Sequence, residues 1–184
     1  HQYLAPDSMV LPVPGGLDPV VATLFNPLGA GIRWGATVPG TGPGDAVAVL
    51  GCGIRGLSAA VAAKEAGADF VMVTGAGERD GPRLDAAPAF GADLVVDVTV
   101  EDPIDRFRAA SGRPGADVVV DVTAKAPQVV AQAVQLAATG GRIVVAGTRG
   151  GGGAPGFEPD HVVYKELRIE GALGVGVVAD RAAL

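Results

Sequence analysis

The ten residues Val47-Ala48-Val49-Leu50-Gly51-Cys52-Gly53-Ile54-Arg55-Gly56 run from an apolar stretch through three glycines in GxGxxG spacing and on into an alanine-rich segment. Such a turn can hold a diphosphate. Gly51 permits a tight bend, Gly53 lets bare backbone approach the phosphates, and Gly56 lets the following helix pack closely on the strand. Cys52, Ile54 and Arg55 complete the loop. The phosphates would lie at the positive end of the helix dipole, where first-turn N–H groups have no intrahelical acceptor. This is binding chemistry and makes no bond. Glycines that only shape a βα turn would read the same way, as would a loop holding S-adenosylmethionine. The latter normally wants an acid at the end of the second strand, where this chain has Val73-Thr74-Gly75. The same gap bears on dinucleotide choice: an acid there selects NAD, and its absence beside an arginine permits a 2′-phosphate. With Arg79 and Arg83 nearby, though Glu78 is available too, the reading leans toward NADP(H).

Other reactive side chains are few. Cys52 is the only cysteine, so neither a disulfide nor a four-cysteine zinc site can form within the chain. Near a helix N-terminus its thiol could be activated, or it could be a small apolar filler. The two histidines, His1 and His161, belong to no cluster with metal-ligand spacing, and no Ser-His-Asp set or general base can be assembled.

The elements that must carry the glycine turn are legible from periodicity. Valine-rich apolar runs at 46–50, 70–74, 94–96, 117–122, 142–146 and 167–171 alternate with segments of helical length at 55–66, 83–90, 103–110 and 127–138. This predicts a Rossmann-type α/β domain: a doubly wound parallel six-stranded sheet with helices on both faces, because several of the runs are continuously apolar. Pro88 should kink the second helix. Ahead of the sheet, Asp18-Pro19 marks a helix start, with a break expected near Asn26-Pro27, and 39–45 is a turn-rich connection.

The 184 residues suit one such domain with flanking pieces. Fourteen basic against 20 acidic residues give a net charge of −6, which argues against a nucleic-acid partner. Apolar stretches are broken well short of membrane-spanning length, so no membrane partner is expected, and the lone cysteine suits a cytoplasmic location. The chain does not open with Met, as a piece of a longer protein would not.

Taken in order, Leu11-Pro12-Val13-Pro14, Asn26-Pro27-Leu28, Pro43-Gly44-Asp45, the glycine turn, Phe90-Gly91-Ala92-Asp93, Gly115-Ala116-Asp117-Val118-Val119-Val120-Asp121, Gly140-Gly141-Arg142-Ile143-Val144 and Leu167-Arg168-Ile169-Glu170-Gly171 resemble the zinc-type alcohol dehydrogenase branch of the medium-chain dehydrogenase/reductase superfamily. The resemblance implies hydride transfer between NAD(P) and an alcohol, polyol or carbonyl compound. It places Thr74 and Gly75 near the adenosine ribose, Val122 and Thr123 near adenine, Ala146, Gly147 and Thr148 near the middle of the cofactor, and Leu173 and Gly174 near the nicotinamide. It also implies a division into a catalytic-domain remnant over 1–42, a cofactor domain over 43–178 and a return segment from 179. A homodimer through the sixth strand is expected as well.

The departures are equally informative. The Gly-His-Glu segment and cysteine ligand of zinc-dependent members have no counterpart here, and Asn26 stands where many relatives have a glutamate near the metal. A neutral amide is a poor Zn²⁺ ligand. Zinc is therefore expected, if anywhere, in a full-length parent and not in this chain. The fragment should bind nucleotide without turnover. A non-catalytic binding or assembly module is the alternative.

Overall fold

The structure is a computed structural model and describes Val10 and residues 12–174. Six parallel strands form one sheet in the order β3-β2-β1-β4-β5-β6. They are β1 (Ala46–Leu50), β2 (Phe70–Gly75), β3 (Leu94–Asp97), β4 (Ala116–Asp121), β5 (Ala137–Val145) and β6 (Arg168–Gly171). The order reverses between β1 and β4, and in open α/β sheets ligands settle at that point, beyond the carboxyl ends of the strands.

Every residue of β1 is buried, which is why its sequence does not alternate. Val47 and Val49 face one core with Leu57, Ala59, Ala60 and Ala63 of helix α3 (Ile54–Glu65). Ala46, Ala48 and Leu50 face the other, with Phe107 of α5 (Pro103–Ser111) and Val129, Ala133 and Leu136 of α6 (Val129–Leu136). The alanines of α3 let its axis lie close to the sheet. Asp102 caps α5, accepting from the Ile104 N–H at 2.7 Å, with Pro103 in the first turn where no N–H is needed.

Before the sheet come α1 (Pro19–Ala22), α2 (Phe25–Gly31) and a π-helical stretch, Ile32–Thr37. Asp18 caps α1 through the Val20 N–H at 2.6 Å, as the Asp-Pro pair predicts. The expected break at Asn26-Pro27 lies earlier, at Thr23-Leu24. Pro27 sits instead in the first turn of α2, where its missing N–H breaks no bond. Gly31 and Gly35 then rest against the backbone of Ser58 and Ala59, which holds this segment directly on α3. Arg142 on β5 fastens the connection that follows, donating to the Pro39 and Gly40 carbonyls at 2.7 and 2.9 Å and pairing with Asp45 at 2.5 Å.

Two helices differ from the sequence expectation. Helix α4 covers Gly77–Ala86, not 83–90, and carries Pro82 inside it, while Pro88 lies in a 3₁₀ turn, Ala87–Phe90. Its start is fixed by Asp97, which accepts from the Gly77 N–H at 2.9 Å, a contact from a distant strand that local periodicity does not carry. Helix α6 ends at Leu136, and Ala137 already pairs with Ala116, so β5 begins five residues earlier than expected. Lys165, after α7 (Pro159–Tyr164), caps that end by donating to the carbonyls of Val134, Gln135 and Ala137 at 2.9–3.0 Å. Among the described residues, no helix is long and apolar enough to cross a membrane.

Candidate functional site

A cleft of about 470 Å³ opens at the switch point. Gly51, Cys52 and Gly53 form one wall, Thr74, Gly75, Ala76, Arg79, Asp80 and Arg83 a second, and the segment from Val122 to Ala126 with Gln128 and Gln132 a third. The three glycines of the turn have different reasons to be glycine. Gly51 has a φ of +109°, and a Cβ on Gly56 would overlap the Gly51 carbonyl, so the fold itself requires both. Gly53 is under no such demand. It caps α3 with φ −62° and ψ 171°, ordinary extended backbone, and a Cβ there would meet nothing within 4 Å. The missing side chain leaves room for something other than the protein, at the mouth of a helix with no acidic residue in its first turn. A diphosphate fits that cradle.

The charged wall is built around Asp80, an acid that reading only the residues at the end of β2 overlooks. Asp80 is buried and accepts from the Ala76 N–H at 3.0 Å and from Arg83 at 2.9 Å, with Arg79 at 3.8 Å. Burial works against its ionised form, but the Ala76 N–H and the two guanidiniums outweigh it and hold the carboxyl below the usual range. Asp97 is lowered too, chiefly by the Thr99 hydroxyl and the Gly77 and Thr99 N–H groups. The i, i+3 spacing of Asp80 and Arg83 on a helix was the signal available in the sequence.

Cys52 is buried, not partly exposed; burial, then the nearby Asp80 charge, pushes its thiol up. It is a filler beneath the turn and not an activated nucleophile.

Behind the cleft, the loops after β4 and β5 are locked together. Asp121 is fully buried, accepts from the Thr123 N–H and hydroxyl at 3.0 and 2.7 Å, and pairs with Arg149. Arg149 also donates to the carbonyls of Thr123 and Gly147, both at 2.7 Å. A Cβ on Gly147 would overlap the Thr123 carbonyl, so close approach of these loops explains that glycine. Thr148 is exposed and accepts from the Lys125 N–H at 3.3 Å.

The remaining expected site residues fall elsewhere. Ile54 borders an apolar groove with Leu24, Pro27 and Phe90. Arg55, Ala146, Leu173 and Gly174 line a second recess of about 290 Å³ with Asn26, Ala30 and Trp34. Asn26 accepts from the Arg55 guanidinium at 3.0 Å. Trp34, absent from the sequence reading, shares a helix face with Asn26 and Ala30 through i, i+4, i+8 spacing.

An open α/β sheet in dinucleotide-fold order, with a glycine turn at its switch point, defines a Rossmann-type nucleotide-binding protein. The family model for zinc-binding dehydrogenase matches residues 56–183, and the chain belongs to that family. It is 68% identical over 185 residues to the curated protein named "Probable alcohol dehydrogenase adh" from Mycobacterium tuberculosis (strain CDC 1551 / Oshkosh), covering all of this chain and 50% of that protein. The chain thus spans about half the length of the curated relatives it matches. Among solved structures, a protein described as a zinc-binding dehydrogenase from Sinorhizobium meliloti 1021, bound to NADP, is 29% identical with a TM-score of 0.81, over 93% of this chain and 49% of that one. A short chain alcohol dehydrogenase from E. coli CFT073 complexed with NADH shares the fold at a TM-score of 0.83 and 20% identity, over 97% and 51%.

The metal in the family's name does not fit what is here. Among the described residues no group of three or more His, Cys, Asp or Glu could hold an ion, and the Asn26 oxygen already accepts from a guanidinium.

Proposed function

We propose that the cleft binds a nicotinamide dinucleotide, and that the chain is the cofactor-holding part of an alcohol dehydrogenase-type oxidoreductase. The observation that carries this reading is Gly53, bare backbone on the cleft wall at the N-terminus of α3, where no atom of the protein stands within 4 Å of a would-be Cβ. The NADP in the Sinorhizobium relative and the NADH in the E. coli fold relative support it. Backbone amides from Gly53 onward hold the diphosphate, Thr74 and Gly75 lie along the adenosine ribose, and Val122 and Thr123 flank the adenine. Ala146, Gly147 and Thr148 follow the middle of the cofactor, and Leu173 and Gly174 approach the nicotinamide. The cofactor accepts or supplies hydride, and this chain's residues orient it.

The same reading favours NADP over NAD. Arg79 reaches the cleft with its side chain 83% exposed, free to meet a 2′-phosphate. Asp80, the buried acid of that wall, is occupied by the Ala76 N–H and Arg83 and does not offer itself to ribose hydroxyls.

Residues 1–42 and those from 179 belong, in this proposal, to a catalytic domain completed by other parts of a longer protein, which acts on an alcohol, polyol or carbonyl substrate in the cytoplasm. The edge strand β6 exposes all four of its residues, Ile169 among them, with Val163, Tyr164 and Leu173 exposed nearby, which supports a homodimer joined along that edge. The remainder of the expected edge, beyond Gly174, lies outside the described residues. Light scattering at tens of micromolar reports the dimer, and a strict monomer ends that part of the proposal. Parallel calorimetric titrations with NADP⁺, NAD⁺ and S-adenosylmethionine test the rest. The expected order is NADP⁺ tighter than NAD⁺ with no heat from S-adenosylmethionine, and binding of S-adenosylmethionine alone overturns the reading.

A further inference from the structure

The edge strand β6 carries two opposite charges that nothing in the described chain answers. Arg168 and Glu170 are both exposed, and neither has an oppositely charged partner within 4.0 Å among the described residues. Both border one recess with Val38, Pro39 and Arg142, so they lie on the same face of the sheet, as residues two apart on a strand must. The neighbouring strand offers Arg168 no acid. It stands in register with Arg142, which is already held by Asp45 and two carbonyls, while Glu170 stands beside Val144.

The backbone of β6 is unanswered in the same way. The Ala172 N–H donates to the Val145 carbonyl at 3.0 Å, and Val145 is in register with Gly171. Arg168, Glu170 and Ala172 therefore turn their N–H and C=O groups toward β5, and Ile169 and Gly171 turn theirs to the open edge. A second copy of the strand can take those groups. Two copies related by a two-fold axis perpendicular to the sheet run antiparallel, and residues that stand opposite must share a face, so the axis passes through a residue position and not between two. An axis at Arg168 sets guanidinium against guanidinium, and one at Glu170 sets carboxylate against carboxylate. With the axis at Gly171, Glu170 faces Ala172 and the pairing runs into Gly174, whose φ of +67° turns the chain out of the strand. An axis at Ile169 puts each Arg168 opposite the Glu170 of the other copy. Ile169 then exchanges both backbone bonds with its own copy, and the charged residues fall in the non-hydrogen-bonded pairs, where side chains stand closest.

We propose that a second copy of the chain pairs antiparallel along β6 with the two-fold axis at Ile169, and that two reciprocal Arg168–Glu170 pairs select this register and this partner. The inference rests on the homodimer proposed above and adds which strands the edge accepts: those with a base and an acid two residues apart in the same order.

Sedimentation equilibrium of the 184-residue chain is expected to show a dimer. Arg168→Glu leaves two acids on the strand and Glu170→Arg two bases, and each is expected to weaken its own dimer at least about tenfold, because two attractions become two repulsions. Mixed in equal amounts, the two variants are expected to form heterodimers as tight as the parent, and the double exchange Arg168→Glu with Glu170→Arg to restore the homodimer. Far-ultraviolet circular dichroism should stay native throughout, since both side chains are exposed. A second measurement reads the register without the charges. In a Cys52→Ala background, Ile169→Cys is expected to cross-link under mild oxidation, its two Cα atoms lying about 5.5 Å apart across the axis, within disulfide reach. Glu170→Cys is expected not to, because its copies are displaced from each other by two residues along the strands. A dimer indifferent to the single charge reversals overturns the proposal and leaves the homodimer standing. So does a mixture that fails to recover, or faster cross-linking through Glu170→Cys than through Ile169→Cys. A parent chain that stays monomeric removes the homodimer and this register together.

Discussion

Replacing Gly53 by valine separates ligand space from folding space. The backbone at this position is extended, so a β-branched residue adopts it without strain. Its Cβ would meet nothing within 4 Å, so a side chain can start there without displacing the backbone. On the stability side, losing glycine's unfolded-state freedom contributes about 0.4–1 kcal/mol, and losing a tolerated N-cap residue costs a similar amount. The net change is expected within about 1 kcal/mol. For the nucleotide a different result is expected, because the side chain would project into the space that the proposed function gives to the diphosphate. Forfeiting one hydrogen bond to a charged group costs about 1.5–3 kcal/mol, or about 10- to 150-fold in Kd. Calorimetric titration with NADP⁺ and with ADP, beside thermal denaturation of the same samples, reads both sides. Gly56→Val is the contrasting variant: its Cβ overlaps the Gly51 carbonyl, so it fails in folding before binding can be asked. A Gly53→Val protein that folds and keeps its NADP⁺ affinity within about threefold would refute the placement of the diphosphate.

Arg79→Gln is expected to weaken NADP⁺ about tenfold, the scale of one charge-assisted contact at an exposed position, and to leave NAD⁺ within about twofold; parallel calorimetry checks it. Arg149→Met strands the buried Asp121 carboxylate and should cost about 3–5 kcal/mol in urea denaturation, with Asp121→Leu in the same chain recovering part of it. Cys52 should react with a thiol reagent at neutral pH only as fast as the protein unfolds, since burial and then Asp80 disfavour its thiolate; rapid labelling of the native chain would contradict this. Because the Asp80 carboxyl is held below its usual range, its contribution to stability is present above the ordinary aspartate value of about 4 and disappears as the pH falls through the lower folded value. Denaturation midpoints followed into acid should therefore fall less steeply in Asp80→Asn.

The sheet was legible because its signal is local and repeated. The six runs, five of them containing valine, lie within one residue of the observed strand ends except at the start of β5, and continuous burial of β1 is written in five apolar residues with no alternation. The glycine turn was legible for the same reason, with both strand and helix adjacent to it in sequence. The boundaries that differed are those set by partners far along the chain. Helix α4 starts where Asp97 on β3 catches the Gly77 N–H, and β5 begins where Gly115 and Lys165 crowd and cap the end of α6. No window of neighbouring residues contains those partners.

The same distinction explains why the cleft's acid was overlooked while its glycines were found. Glycines act through backbone geometry, which sequence spacing specifies residue by residue. Asp80 acts through where α4 begins, and moving that start toward residue 83 would take the carboxylate off the helix and away from Ala76. Its partner Arg83 and its neighbour Arg79 would then be separate surface cations, and no charge would be left to order them. On the proposed reading, any preference between the two dinucleotides depends on a helix boundary held by Asp97, twenty residues from the Gly77 amide it accepts from. If that holds, Asp97→Ala, a change on a different strand that does not line the cleft, should shrink the ratio of NADP⁺ to NAD⁺ affinity even though Arg79, Asp80 and Arg83 are all intact. An unchanged ratio in a folded Asp97→Ala protein would show that the arginines are placed by α4 alone.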